Sequence, residues 1–329
     1  MKKQTLAKIG LFVCGLVFCV LTEKTGIISN TLKLILQFVA IYSIFVIGVN
    51  IVNGYLGVFS LAHAGIMAIG GYAASLASMY LLKSPMLFPV SILIGGFSSM
   101  LIGLVIAFPS FSVRGDYLAI ITLGASLLIQ SLLENIDAIG ASRGLRPIPN
   151  YTNIIWCYVC FVLAVVVARR LVQSKFGRSL LAIRKDQVAA ELVSVDIKRV
   201  KLVAFGLSAF LIGISGALIC HLLAYTNPGA YGYSLIIDGL IMVYLGGIGS
   251  ITGSIIGAAL WQILVQTLRP VGMWRWILGG IILIILMVYK PTGLFGNTEL
   301  SWQWLREKLA VVRKLGSHKN PAREAAKDE

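Results

Sequence analysis

Apolar runs about as long as a bilayer is thick alternate along this chain with short polar or glycine-rich breaks. The stretches Leu34 to Val52, Met86 to Val113, Tyr117 to Leu133, Leu202 to Leu223 and Ile277 to Tyr289 are almost free of charge. A helix rising about 1.5 Å per residue crosses a hydrocarbon core of about 30 Å with roughly 20 such residues. The pattern predicts ten membrane-spanning helices, at 9–21, 34–52, 56–82, 88–108, 117–133, 154–171, 202–224, 236–248, 253–268 and 274–289. The fold class is an all-α integral membrane protein with some spans broken or half-length. Segment 9–21 follows Lys2, Lys3 and Lys8 as a signal peptide would, but no small-x-small cleavage site follows it, so it reads as a retained span. Residues 236–268 read either as two short spans about a glycine cluster or as one broken element.

Composition agrees. Of 329 residues, 58% are hydrophobic and only 12% charged, too few polar groups to cover a surface in water. The net charge of +15 fits either a nucleic-acid partner or the excess of Lys and Arg on cytoplasmic loops. Placing the N-terminus in the cytoplasm puts 21 of the 28 Lys and Arg inside and seven outside, both termini being cytoplasmic. Topology thus accounts for the charge without nucleic acid. The cysteines Cys14, Cys19, Cys157, Cys160 and Cys220 all lie in apolar runs. The Cys157–Cys160 spacing suits metal or redox chemistry, but it stands inside a span with no second pair, which favours packing.

Two glycine-rich segments interrupt the hydrophobic pattern. One runs Asn53-Gly54-Tyr55-Leu56-Gly57, then Ser60 to Gly65 and Gly70-Gly71-Tyr72; the other runs Leu245-Gly246-Gly247-Ile248-Gly249-Ser250, then Gly253 and Gly257. Small residues let membrane helices approach closely. Irregular backbone at membrane depth, however, survives only beside protein or a watery cavity, and paired interruptions in two halves point to a transport path. Both readings stay open. The second makes Ser60, His63, Tyr72, Thr122, Asp238, Gly246 and Gly247 candidates for the path or its gate.

One substantial polar loop, about 172–200, divides the spans. From Ser179 onward Leu180, Ile183, Val188 and Leu192 alternate with charges in an amphipathic pattern. Such a segment suits either an interfacial helix on lipid headgroups or a docking helix for a soluble partner. The tail from Glu299 carries Trp302, Trp304, Leu305 and Leu309 among charges. It reads as an amphipathic surface helix followed by disorder, so that 1–298 is the membrane domain and 299–329 a cytoplasmic tail.

The loop resembles the coupling loop of ABC-importer permeases, and more closely that of the branched-chain amino-acid permease family, LivM type. That family reads G-R-x-L-x-A-I-R-x-D-x-x-A-A-E-x-x-G. Here Gly177-Arg178, Leu180, Ala182-Ile183-Arg184, Asp186 and Ala189-Ala190-Glu191 match, with Ser194 at the final glycine. Three further blocks resemble the family: Gly54-Tyr55 with Gly57, Ser60-Leu61 and His63-Ala64; Arg114 to Tyr117 with Ala119-Ile120 and Thr122-Leu123-Gly124; and Asp238, Met242-Val243 and Leu245 to Ser250. Together they cover about 48–295. The resemblance implies a permease forming half of a translocation pathway, for branched-chain amino acids or a related small polar solute. It implies a second, LivH-like permease, two cytoplasmic ABC ATPases docked on the coupling loops, and a periplasmic or lipid-anchored solute-binding protein. Arg178, Arg184, Lys185, Asp186, Ala189, Ala190 and Glu191 would then meet the ATPase. The sequence has no G-x-x-x-x-G-K-[ST] loop, so no cofactor is expected on this chain and ATP is used by its partners. The implied location is a bacterial inner membrane, and the implied role is transport, not enzymatic catalysis.

The chain also departs from the family. Where the family often places an acidic residue just after T-L-G-x-G and a basic one three positions on, this chain has Leu127 and Gln130, which leaves the solute open. His63 reads as hydrogen-bonded to backbone or as touching solute, since an intramembrane histidine needs a partner or water. Asp238 reads as an acid at a helix N-terminus or as a gate, Asp116 as a cap on the fifth span, and His221 as packing or interfacial. The rival reading, an ion-gradient-driven secondary transporter, needs intramembrane acids or bases, which the span cores nearly lack.

Overall fold

The computed structural model describes residues 29–111, 113 and 117–268, with scattered single positions on either side. The chain divides into two compact units, Met1–Asn297 and Thr298–Glu329; all of the second lies outside the described residues, and with it the expected amphipathic tail. Most of the expected first and tenth spans, and Arg114 to Asp116, also lie outside them.

The helices are α1 (Asn30–Asn50), α2 (His63–Leu76), α3 (Phe88–Ser110), α4 (Tyr117–Glu134), α5 (Ile154–Gln173), α6 (Lys175–Lys185), α7 (Gln187–Leu192), α8 (Ile197–Leu223), α9 (Tyr233–Gly246) and α10 (Ile251–Thr267). Among the described residues, seven helical segments are long and apolar enough to cross a membrane, and α10 is a shorter apolar helix. The sequence placed the break between the second and third spans after Val52, with the third starting at 56. In the structure α1 continues through a π-helical turn, Ile51–Leu56, stops at left-handed Gly57, and α2 starts only at His63. The intervening strap, 57–62, is irregular backbone.

The architecture is a bundle built around α8, whose 27 residues span about 40 Å. It packs against α1, α2 and α3 through small residues. Gly70 and Gly216 lie so close to the backbones of Gly213 and Met67 that neither has room for a side chain, and a Cβ on Gly95 would stand 2.6 Å from the Gly70 carbonyl. Close backbone approach of this kind replaces the hydrophobic drive that lipid removes.

The peripheral helices carry their polarity inside out. On α3 the buried positions include Ser91, Gly95, Ser99, Gly103, Ala107 and Ser110, while Leu101, Val105 and Phe108 are exposed. On α4, Thr122 and Ser126 face inward and Ile120, Leu128 and Leu132 outward. Hydroxyls are hidden and hydrocarbon is presented, as a lipid solvent demands. Between α4 and α5 the chain pairs briefly with the α8–α9 connection, Leu145 N–H donating to the Thr226 carbonyl at 2.8 Å.

Residues 236–268 form two helices. α9 and α10 pack as an antiparallel hairpin: Asp238 meets Trp261, Met242 meets Gly257, and Gly246 meets Gly253. Gly247 and Gly249, both at positive φ (123° and 84°), make the turn.

Candidate functional site

The two glycine-rich interruptions, some 200 residues apart in sequence, meet in space. Asn50, at the end of α1, points its whole amide at the hairpin turn. Its Nδ2 donates to the Ser250 carbonyl (3.0 Å) and to Ser254 Oγ (2.6 Å), and its Oδ1 accepts from the Gly249 N–H (2.9 Å). Gly54 lies one turn on, where a Cβ would stand 2.7 Å from the Gly249 nitrogen. A buried amide with both donors and its acceptor engaged clamps the turn to α1.

The strap is held the same way. Asn53 closes a ring with Ser60, Nδ2 donating to its carbonyl (3.1 Å) and Oδ1 accepting its N–H (3.2 Å). The Leu61 N–H donates to Thr122 Oγ1 (3.0 Å) and the Gly65 N–H to Ser126 Oγ (2.8 Å). Side-chain oxygens of α1 and α4 thus satisfy backbone that no helix satisfies. Beneath the strap lies a small cavity of about 10 Å³, lined by Val49, Val52, Asn53, Ser60, His63, Ile66, Phe205, Ser208 and Ile212.

Of the predicted path residues, Ser60, His63 and Thr122 gather at the strap, and Gly246 and Gly247 lie in the hairpin whose turn Asn50 holds at Gly249 and Ser250. Thr122 is fully buried, donating to the carbonyls of its own helix as well as accepting from Leu61, which makes it a structural hydroxyl. His63 is 4% exposed and its Nε2 makes no close hydrogen bond among the described residues, while the backbones of Ile236 and Ser60 serve the ring as hydrogen-bond partners, as expected of it. Its ring packs edge-on against Phe45, 5.7 Å between centroids. Asp238 sits inside α9, more than a turn past its start, so it does not act as an N-terminal acid; Oδ1 accepts from Trp261 Nε1 at 3.2 Å. Tyr72 stands apart, farther along α2, its buried hydroxyl without a partner among the described residues. Neighbouring Gly71 packs against Cys220 and Tyr231, which bond to each other at 3.1 Å. His221 is fully buried and bonded at both nitrogens, to Ser78 Oγ and the Ala217 carbonyl at 2.8 Å each. Cys157 is buried and Cys160 half-buried in α5.

Asn50, Asn53, Ser254 and Trp261 were missed as site residues. The two asparagines carried a signal, being amides within an apolar span; Ser254 and Trp261 carried none.

The loop expected to hold one amphipathic helix from Ser179 holds two. Ser174 caps α6, its Oγ accepting from the Gly177 N–H at 3.2 Å. Asp186 breaks the helix and caps α7, accepting from Val188 (2.8 Å) and Ala189 (3.1 Å). Asp196 caps α8 through the Arg199 N–H (3.0 Å). Ser194 adopts the left-handed conformation at φ 61°, the backbone state a glycine would take without strain. Leu180, Ile183 and Ala190 are buried; Val188, Leu192 and Val193 are 68%, 83% and 72% exposed. Arg178, Arg184, Lys185, Asp186, Ala189 and Glu191 are exposed as well, so Ala190 alone of the predicted docking residues is a packing residue. Arg184 lays its aliphatic stem on Gly57: a Cβ there would be 2.6 Å from Cγ. The polar loop therefore touches the strap directly.

Residues 31–289, which contain all the helices named above save the first residue of α1, match the profile of the "branched-chain amino acid transport system / permease component" family. The chain belongs to that family. It is 27% identical to the high-affinity branched-chain amino acid transport system permease protein LivM of Escherichia coli K12, over 90% of this chain and 76% of that one. It is 24% identical to the high-affinity branched-chain amino acid transport system permease protein BraD of Pseudomonas aeruginosa, over 79% of this chain and 92% of that one. Among solved structures, an inward-facing metal-chelate-type ABC transporter aligns with 17% identity and a TM-score of 0.45, over 88% of this chain and 99% of that one. The chain is a multi-pass membrane permease of that family. The relatives named above are transport-system permeases.

Proposed function

We propose that this permease forms one half of an ATP-driven import pathway for a small amino-acid-like solute, with α7 as the piece that its ATPase moves. The observation that carries the reading is a continuous mechanical line. The exposed apolar edge of α7, Val188, Leu192 and Val193, suits insertion into a groove on a soluble ATPase, with Lys185 and Glu191 beside it as orienting charges. Movement of α7 pulls on α6, whose buried Leu180 and Ile183 seat it on the bundle. Arg184 then bears on Gly57 and so on the strap, and Asn50 carries the displacement to the α9–α10 turn. A packed, hydrogen-bonded element of this kind shifts as a unit between discrete arrangements, as rocking transporters require.

The remaining parts follow the family. A second, LivH-like permease supplies the other half of the path, two ATPases bind and hydrolyse ATP, and a periplasmic or lipid-anchored protein delivers the solute. This chain binds no cofactor and carries out no catalysis of its own. It resides in the inner membrane with both termini and α6–α7 in the cytoplasm, an orientation supported by the basic residues from Arg169 to Lys201.

The test is co-purification from native membranes of the wild-type chain and of the Leu192→Glu/Val193→Glu variant. Two ATPases and a second permease are expected with the wild type, and loss of the ATPases with the variant, membrane insertion being unchanged. A chain that transports in liposomes without ATP or partners would instead establish the gradient-driven reading.

A further inference from the structure

The outward face of α5 ends in a positive charge. Leu163, Val166 and Val167 are exposed on one side of the helix, whereas Cys157, Ala164 and Ala168 on the other are buried. At about 100° per residue, Arg170 continues the exposed stripe one turn beyond Val166 and Val167, and it is itself exposed. A guanidinium there leaves the hydrocarbon at the end of the span, its stem lying on the apolar stripe and its head among lipid headgroups. Three more cations share that corner. Arg169 precedes it, and Lys175 and Arg178 open α6, with Ser174 the one residue between the two helices. The turn is tight: Ser174 Oγ donates to the Leu171 carbonyl (2.6 Å), and the carbonyls of Leu171 and Val172 leave no room for a side chain at Gly177.

Nothing in the described part of the chain neutralises these four. Among the described residues no carboxylate comes within ion-pair distance of any of them, and Arg169 Nε is buried without a hydrogen bond. The nearest acids in sequence are spent elsewhere: Asp186 and Asp196 accept from backbone N–H groups of α7 and α8, and Glu191 lies on exposed α7. We infer that Arg169, Arg170, Lys175 and Arg178 bind the phosphate of one anionic phospholipid at the α5–α6 corner. Guanidinium groups match phosphate oxygens two at a time. A zwitterionic lipid offers the same phosphate but brings its own ammonium into a site that already holds four cations. A soluble partner's carboxylate fits less well, because Arg170 stands on the face that Leu163, Val166 and Val167 present to hydrocarbon. Bound there, the lipid ties the root of α6 to the membrane surface and leaves α7 open.

Native mass spectrometry of the full chain, released from nanodiscs of equal phosphatidylglycerol and phosphatidylcholine, tests the site. The wild type should retain one phosphatidylglycerol in preference to phosphatidylcholine. Arg170→Gln/Arg178→Gln should lower that preference roughly 25-fold, at about fivefold for each cation removed. Lys83→Gln/Arg143→Gln takes the same charge from two exposed side chains at the opposite end of the spans, where Tyr151 donates to the Lys83 carbonyl, and should leave the preference unchanged. If the double corner variant does not fold, Arg170→Gln alone should show about a fivefold loss, which Arg170→Lys largely restores. No preference in the wild type, a preference unchanged in the corner variants, or an equal loss in the far-end variant would each overturn the inference.

Discussion

Replacing Asn50 by leucine should uncouple the α9–α10 turn from the rest of the bundle at a measurable cost. The side chain makes three buried or half-buried hydrogen bonds, to Ser250 O, Ser254 Oγ and Gly249 N. Two of the partners have substitutes: Ser254 Oγ also donates to the Ser250 carbonyl at 3.0 Å, and that carbonyl also accepts the Ser254 N–H. The Gly249 N–H has no other acceptor among the described residues, and orphaning such a donor costs about 1–3 kcal/mol. Interhelical bonds in membrane proteins average about 0.6 kcal/mol each, so the two replaceable bonds add about 1 kcal/mol, for a total of about 2–4 kcal/mol. Asn50→Asp should cost more, because it keeps the acceptor for Gly249 but turns a charge on the Ser250 carbonyl in a desolvated site. At roughly 2 °C of Tm per kcal/mol for a chain of this size, Asn50→Leu should melt about 4–8 °C lower. The assay is thermal unfolding followed with a thiol-reactive fluorophore, since Cys157 and Cys220 are 0% and 1% exposed and react only as the bundle opens. A shift below about 1 °C in Asn50→Leu, or Asn50→Asp melting above Asn50→Leu, would refute the clamp.

Gly57→Ala should impair transport more than stability. A left-handed alanine costs about 1 kcal/mol, while its methyl pushes the Arg184 stem away from the strap. In reconstituted importer, ATP hydrolysed per solute moved should rise, and adding Arg184→Ala should not restore the ratio if that contact transmits the stroke; full restoration would make the contact a mere obstruction. Gly257→Ala, whose Cβ would run into the Met242 carbonyl and stand 2.7 Å from the Gly246 nitrogen, should lower the melting temperature by several degrees, whereas Gly124→Ala, with nothing within 4 Å, should leave it unchanged. Equal effects in the two glycine variants would count against the hairpin register.

The sequence carried the spans well because one-dimensional hydrophobicity is what a bilayer reads, and α3, α4, α5 and α8 fall where the apolar runs lie. It misplaced the junction at 53–62, because a π-helical turn and a left-handed glycine have no hydropathy signature. The meeting of Asn50 with Gly249 was not legible either: both segments were visible as interruptions, but their contact is a tertiary fact. The loop at 172–200 was read correctly as the accessible polar element, and Asp186 was noticed, yet an aspartate between two helical stretches can continue a helix face or cap the next helix. Here it caps. Ser194 stands where the family has glycine, and its left-handed backbone was not read from that departure.

The hairpin register has a consequence for how this chain can vary in length. Each advance of four residues along α9 is answered by four in retreat along α10, from Gly246 opposite Gly253, through Met242 opposite Gly257, to Asp238 opposite Trp261. One residue added or lost between Gly247 and Ser250 would slide every later partner by about 100° around its helix, setting side chains where only glycine fits. Homologues and engineered variants should therefore hold that turn at constant length.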